Sequence, residues 1–129
     1  MSQTEFYEAK LEYETDSWDL SESLKNSEDV VVIDARSTEA YETEHIPSAI
    51  SIPHRTMSEE TTKDLDRSKI YVTYCDGIGC NASTKGALKL AKLGFNVKEL
   101  LGGLDWWKRD GYTTEGRSGV EGKTIACGC

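Results

Sequence analysis

Hydrophobic and polar positions along the chain follow two rhythms, short unbroken apolar runs and stretches with apolar residues three and four apart. "VVVID" at 30–34 is a continuous β-branched run, the pattern of a strand covered on both faces. "KIYVTYC" at 69–75 repeats it, "FNVKEL" at 95–100 supplies a third strand, and "AISIP" at 49–53 is a shorter β-like piece ended by Pro53. Between these runs the rhythm becomes helical. "YEAKLEYET" and "WDLSESLKN" predict two short helices near the start, the second with Ser17 as N-cap and Asp19 in its first turn. Ser37 offers an N-cap to "TEAYETEH", with Glu39 near the positive end, and "SEETTKDL" at 58–65 predicts another helix. From Asn81 to Leu93, Ala87, Leu88, Leu90, Ala91 and Leu93 fall at helical spacing, with Gly94 to end the helix and Phe95 as the apolar contact beyond it. A Gly102-Gly103 turn leads into a closing helix, "LDWWKRDGY". Strands that alternate with helices predict parallel pairing and right-handed crossovers. The expected fold is α/β, a three-layer domain with a mostly parallel central sheet flanked by helices.

A length of 129 residues suits one domain that buries a core without a metal or disulfide staple. The expected division is a helical segment, 1–28, packed on a domain of residues 29–112, followed by a flexible Gly-rich tail, 113–129, that ends in Cys127-Gly128-Cys129. No stretch approaches the ~20 apolar residues of a membrane span. The acidic start "MSQTEFYEAKLEYETDSWDL" lacks the basic and apolar regions of a signal peptide, so a cytoplasmic location is expected. In that compartment thiols stay reduced, which makes the four cysteines candidates for chemistry rather than a structural framework. A formal net charge of −8 argues against nucleic acid as a partner and means that an anionic ligand must be drawn by a local field. No cofactor and no metal are implied. The only histidines, His45 and His54, lack a Cys or carboxylate at ligand spacing, and zinc needs more ligands than Cys127 and Cys129 supply.

The chemistry concentrates in "YCDGIGCNAS", residues 74–83. Cys75 ends the second long strand, and ligands of open α/β sheets bind beyond the carboxyl ends of the strands. The loop after it feeds straight into a helix whose first amides lack intrahelical partners and carry the positive end of the dipole. Gly77 and Gly79 let the backbone wrap tightly, with positive φ where required, and aim successive N–H groups inward. A thiol in that cradle is expected to titrate below the free value of ~8.5 and to attack an anionic sulfur or phosphorus centre. A free cysteine is more often a small buried hydrophobe; the coincidence of strand end, paired glycines and helix start favours a functional thiol at Cys75. For Cys80, packing, a second loop thiol and a partner for Cys75 all stay open.

These residues carry a resemblance. "VVVIDARSTEAYETEHIPSAISIPH" and "YVTYCDGIGCNASTKGALKLAKLGFNVKELLGGLDWWKRDGY" are similar to a single-domain rhodanese of the thiosulfate sulfurtransferase family, over about residues 29–112. The family's Asp-x-Arg falls on Asp34-Ala35-Arg36, its Gly-His-Ile-Pro-Gly-Ala on Glu44 to Ala49, its nucleophile on Cys75, and its Gly-Gly turn on Gly102 and Gly103 before Trp106 and Trp107. The resemblance implies a rhodanese-like fold and ping-pong transfer of sulfane sulfur. Cys75 takes sulfur from a small anionic donor such as thiosulfate, becomes a persulfide, and yields the sulfur to cyanide, a thiol or a protein cysteine. The backbone amides of Asp76, Gly77, Ile78, Gly79, Cys80 and Asn81 would hold the persulfide and the incoming anion. Neither nucleic acid nor a membrane enters this scheme.

The sequence also departs from the pattern. The loop is about two residues longer than the common Cys-x-x-Gly-x-Arg-Ser form, and Ala82 stands where its arginine would be. Lys85 is a substitute cation or a solvated surface lysine. Asp76 opposes a lowered thiol pKa if it points inward, and it is expected to point out. Glu44 and Ser48 replace two family glycines, which suggests an altered turn rather than another fold. Asp34 and Arg36 are expected to form a structural ion pair, His45 a local hydrogen bond, and Trp106 and Trp107 to pack. Cys127 and Cys129 are either an inert end or a mobile dithiol that accepts or releases the sulfur. Two other functions share the loop: a Cys-dependent phosphatase or arsenate reductase, which the missing arginine weighs against, and a non-catalytic rhodanese-like binding module.

Overall fold

The computed structural model describes residues 1–26 and 29–123. Five parallel strands form one sheet in the order β1-β5-β4-β2-β3. At its centre β2 (Val30–Asp34) pairs with β4 (Ile70–Tyr74), with Val30 opposite Ile70 and Asp34 opposite Tyr74. Strand β5 (Asn96–Leu100) lies on the other side of β4, and the two-residue strands β1 (Glu14–Thr15) and β3 (Ile50–Ser51) form the edges. The short edges leave little exposed ladder for another chain to pair with.

The unbroken apolar runs are explained by cover on both faces of the sheet. Val32, Val72, Tyr74 and Leu100 pack on one side against Leu20 of α2 (Ser17–Lys25) and Leu104 and Trp107 of α5 (Gly103–Arg109). Ile33 and Tyr71 turn to the other side, against Met57, Phe95 and Leu90 of α4 (Ala82–Lys92). Helix α3 (Thr38–Thr43) joins the first face through Tyr41. The three-layer α/β arrangement follows from these two cores.

Local chemistry sets the helix ends. Ser37 caps α3 by accepting from the Ala40 amide at 3.2 Å. Helix α4 ends at Gly94, φ 93°, where Gly94 N–H bonds Ala91 O and Phe95 N–H bonds Leu90 O, both at 3.0 Å, and Phe95 is buried. This is the Schellman arrangement expected for glycine followed by an apolar contact. Helix α1 (Gln3–Tyr13) starts earlier than the apolar pattern suggests, because Ser2 and Glu5 form a reciprocal capping box.

Two expectations are corrected, and the described part of the tail makes defined contacts. Asp16, not Ser17, caps α2: its carboxylate accepts from Asp19 N–H at 2.8 Å and adds a charge that complements the dipole. Residues 58–65 form turns rather than a helix. There Thr61 Oγ1 donates to Thr56 O (2.7 Å) and accepts from Ser58 N–H (2.9 Å), and Thr62 Oγ1 donates to Ser58 O (2.7 Å), side-chain bonds that hold the segment as turns. The tail is docked up to Lys123: His45 and Glu115 exchange backbone hydrogen bonds at 2.9 Å, Ser118 N–H bonds Thr43 O at 2.8 Å, and Lys123 N–H bonds Gly111 O at 2.9 Å. These amides find carbonyls left over by α3 and α5. Among the described residues no helix is long and apolar enough to cross a membrane.

Candidate active site

The central strands deliver two chemical groups to one end of the sheet. After β4 comes Cys75, 2% exposed, and after β2 come Ala35 and Arg36, with Ala35 N–H bonded to Tyr74 O at 3.1 Å. The first turn of α5 holds the start of the loop: Leu104 N–H donates to Cys75 O at 2.9 Å and Asp105 N–H to Asp76 O at 2.7 Å. This contact requires the Gly-Gly turn. Gly102 and Gly103 have φ of 79° and 58°, and a Cβ on Gly103 would overlap the Cys75 carbonyl oxygen.

The left-handed glycines therefore lie in the supporting turn, and the loop itself does not require them. Neither Gly77 nor Gly79 takes positive φ. A Cβ at Gly77 would lie 3.3 Å from Asp105 Cβ, whereas one at Gly79 would meet open space. Within the loop Cys80 N–H bonds Gly77 O at 3.2 Å, and the other amides of residues 76–81 bond no acceptor among the described residues. Asn81 precedes α4 without a side-chain cap bond there. Unpaired amides followed by an uncapped helix start have the polarity of an anion cradle.

Cys75 is joined to Cys80 by a disulfide, with the two Cα atoms 6.2 Å apart. Of the alternatives open for Cys80, the structure takes the bonded partner, and packing alone is set aside. Cys80 is half-buried where Cys75 is buried. A Cys75 thiolate exists only after this bond is opened.

The walls are fixed by a buried ionic network. Arg36 Nη2 lies 2.7 Å from Asp34 Oδ2, and Nε donates to Asp34 Oδ1 at 3.0 Å. Arg36 also donates to Glu44 O (2.6 Å) and to Asp76 Oδ1 (2.9 Å). Burial opposes its charge, but the hydrogen bonds and charge of Asp34, helped by Asp76, outweigh burial and raise its pKa. The expected Asp34–Arg36 pair is thus present. Tyr74, absent from the sequence reading, completes it by donating to Asp34 Oδ2 at 2.8 Å and accepting from Ile46 N–H at 3.2 Å. Burial, then the neighbouring Asp34 charge, pushes the phenol pKa up and keeps it a donor. Asp76 points outward, as expected, with its side chain 73% exposed.

The two replaced glycines have separate solutions. Ser48 adopts φ 68°, a left-handed conformation that glycine takes without a side-chain penalty. Glu44 is buried, with Oε1 2.8 Å from Lys108 Nζ and Oε2 accepting from Thr114 Oγ1 at 2.6 Å. Burial raises its pKa, but the hydrogen bonds of Lys108 and Thr114 and the charges of Lys108 and Arg36 prevail and lower it. His45 makes its expected local bond, Nδ1 to Tyr41 O at 2.6 Å, while stacked on the Tyr41 ring. Trp107 is buried and Trp106 sits at the rim.

Two concavities flank the loop. One of about 780 Å³ lies between α3, α5 and residues Asp76–Cys80. The other, about 490 Å³, is lined by Cys75, Cys80, Ala82, Arg36, His54 and Arg55 among others. A second residue that sequence reasoning missed is Arg55. It is exposed, lines the Cys75 cavity, and has no ion-pair partner among the described residues, whereas Arg36 is committed to Asp34 and Asp76. The available signal was its place just after β3, which pairs in parallel with β2 and so ends on the same side of the sheet. His54, beside it, has its pKa lowered by burial and then by the fields of Lys89, Arg55 and Lys85. Lys85 is exposed on α4. Cys127 and Cys129 lie outside the described residues.

Comparison with known proteins bears on the family and the fold. Residues 17–110 match the family described as the rhodanese-like domain. The thiosulfate sulfurtransferase GlpE of Coxiella burnetii is 33% identical over 94 residues, which cover 71% of this chain and 84% of the relative. The adenylyltransferase and sulfurtransferase UBA4 of Candida albicans is 30% identical over 104 residues, covering 71% of this chain but 22% of that longer protein. Among solved structures, the BH2092 protein of Bacillus halodurans is 44% identical with a TM-score of 0.87, covering 97% of this chain and 92% of that one. A rhodanese-related protein of Thermoplasma volcanium is 28% identical with a TM-score of 0.69, over 80% and 97% of the two chains. The family match spans most of the chain, and a relative 33% identical is covered over 84% of its length: this protein belongs to the rhodanese-like domain family.

Proposed function

We propose that the chain is a sulfurtransferase that moves sulfane sulfur from a donor such as thiosulfate to a thiophilic acceptor through a persulfide on Cys75. The observation that carries this reading is that Cys75 follows the carboxyl end of β4, next to unpaired loop amides and in a cavity that Arg55 also lines. An external thiol first opens the Cys75–Cys80 bond. The Cys75 thiolate then attacks the outer sulfur of thiosulfate, the sulfur–sulfur bond of the donor breaks, and sulfite leaves with the electron pair. The amides of Asp76 to Asn81 hold the anionic persulfide, and Arg55 supplies the fixed positive charge that Ala82 does not. An acceptor thiol or protein cysteine takes the outer sulfur and returns Cys75 to its thiolate. Cys127 and Cys129 are candidate acceptors on the same chain.

The test is turnover of thiosulfate and cyanide by reduced protein, read as sulfite formed. Wild type is expected to turn over, and Cys75→Ser to be inactive with an unchanged melting curve under reducing conditions. Equal activity in the two proteins would contradict the assignment. A wild type inert to several sulfur donors would favour a non-catalytic binding module.

A further inference from the structure

The disulfide at the head of the loop places a second sulfur within bonding reach of the proposed nucleophile. We propose that Cys80 is a resolving thiol, which makes the loop a sulfane-sulfur reductase as well as a transferase; the inference rests on the persulfide at Cys75. Cys80 attacks the inner sulfur of the persulfide, the Sγ of Cys75. The Sγ–Sγ bond forms, the bond from Cys75 Sγ to the outer sulfur breaks, and hydrosulfide departs with its electron pair. The outer sulfur is thereby reduced and the two cysteines are oxidised to the disulfide. An external dithiol then reopens the loop and is itself oxidised.

Four observations support this step. The Cα atoms of Cys75 and Cys80 are 6.2 Å apart, inside the range of about 4.4–6.8 Å that a disulfide spans, so the present backbone permits the bond. Cys80 lines the same cavity as Cys75 and is half-buried, which leaves room for a departing hydrosulfide. Its own N–H closes the turn onto Gly77 O at 3.2 Å, and it stands just before the uncapped start of α4. Helix N-termini of this kind favour a thiolate, the form that attacks. Finally, a thiol five residues away in the same loop competes with outside acceptors as an intramolecular reactant, at an effective concentration of about millimolar or more.

The test uses the full chain with Cys127→Ser and Cys129→Ser, reduced and then freed of reductant without oxygen, mixed with one equivalent of thiosulfate. Intact mass and released hydrosulfide are followed in time. The expected course is a gain of one sulfur atom, then a species two hydrogens lighter than the reduced protein, with equimolar hydrosulfide and a Cys75–Cys80 cross-link in peptide maps. Added dithiol restores the reduced mass. In the same background Cys80→Ser is expected to keep its persulfide on the order of tenfold longer and to release no hydrosulfide; Cys80→Ala serves if the serine variant does not melt cooperatively. Equal persulfide lifetimes with and without Cys80, or hydrosulfide without loss of two hydrogens, would overturn the resolving role and leave the transferase reading standing. Failure of both Cys80 variants and the parent to gain any sulfur would overturn the transferase reading and this one together.

Discussion

Gly103 lies so close to Cys75 that a Cβ on the glycine would overlap the carbonyl oxygen of the cysteine. The same turn gives Leu104 its 2.9 Å hydrogen bond to that oxygen. A site more than twenty-five residues away in sequence thus fixes where the proposed nucleophile leaves its strand. Gly103→Ala places a side chain at φ 58° and against backbone. It is expected to cost about 1–3 kcal/mol of conformational strain, before the overlap is counted, and to slow persulfide formation. Urea unfolding together with the rate of sulfur uptake checks this. A substitution that lowers stability but leaves sulfur uptake intact would show that the turn does not position Cys75.

The Asp34–Arg36 pair is buried, with Asp34 fully enclosed and Arg36 9% exposed. Asp34→Asn removes the buried counter-charge of the Arg36 guanidinium and leaves it only the exposed Asp76, so it is expected to destabilise the fold by about 3–5 kcal/mol. Asp34 also accepts from the Tyr74 hydroxyl, so Tyr74→Phe should cost about 1–3 kcal/mol by leaving the carboxylate short of a donor. Chemical denaturation of the two variants ranks the effects, and a Tyr74→Phe loss larger than that of Asp34→Asn would contradict the network as described.

Glu44 has a folded-state pKa below its usual value, so its charged form is favoured by folding. The contribution is complete above the unfolded value near 4.5 and is lost as pH falls through the lower folded value. Glu44→Gln should therefore lower stability at neutral pH, and the gap between variant and wild type should narrow in acid below about pH 4.5. Thermal melts across that range test the sign.

Charge at the Cys75 cavity is expected to govern donor affinity. Arg55→Ala should raise KM for thiosulfate by about tenfold, the size of a lost charge-assisted hydrogen bond of ~1.5 kcal/mol. Ala82→Arg, which restores a cation at the buried start of α4, should lower KM where its side chain reaches the loop. A KM indifferent to Arg55 would place the donor elsewhere or make thiosulfate the wrong one.

Cys127 and Cys129, the candidate acceptors on the same chain, lie outside the described residues and are tested by deletion. We propose that the C-terminal thiols act as acceptors when Cys80 is absent. In Cys80→Ser, deletion of residues 126–129 should then lengthen the life of the persulfide; equal lifetimes would remove Cys127 and Cys129 from the reaction.

Much of this architecture is legible in the sequence because it follows from local patterns. Strands β2 and β4 are unbroken apolar runs covered on both faces, and the Gly94-Phe95 pair marks the end of α4. Cys75 can be placed at the site because its strand ends there. Residues 58–65 misled because their acidic and hydroxyl composition suits either a helix or side-chain-bonded turns, and the choice depends on carbonyls such as Thr56 O. Arg55 is invisible without the pairing of β3 with β2, and Glu44 without the approach of Lys108 and Thr114. The Cys75–Cys80 bond depends on how the loop closes over five residues, which spacing alone does not decide.

The most direct test of the account is the mass of fully reduced protein after brief exposure to thiosulfate, followed by peptide mapping. The account predicts the gain of one sulfur atom, located on Cys75 and absent from Cys75→Ser. A Cys75→Ser protein that gains sulfur as the wild type does would contradict it.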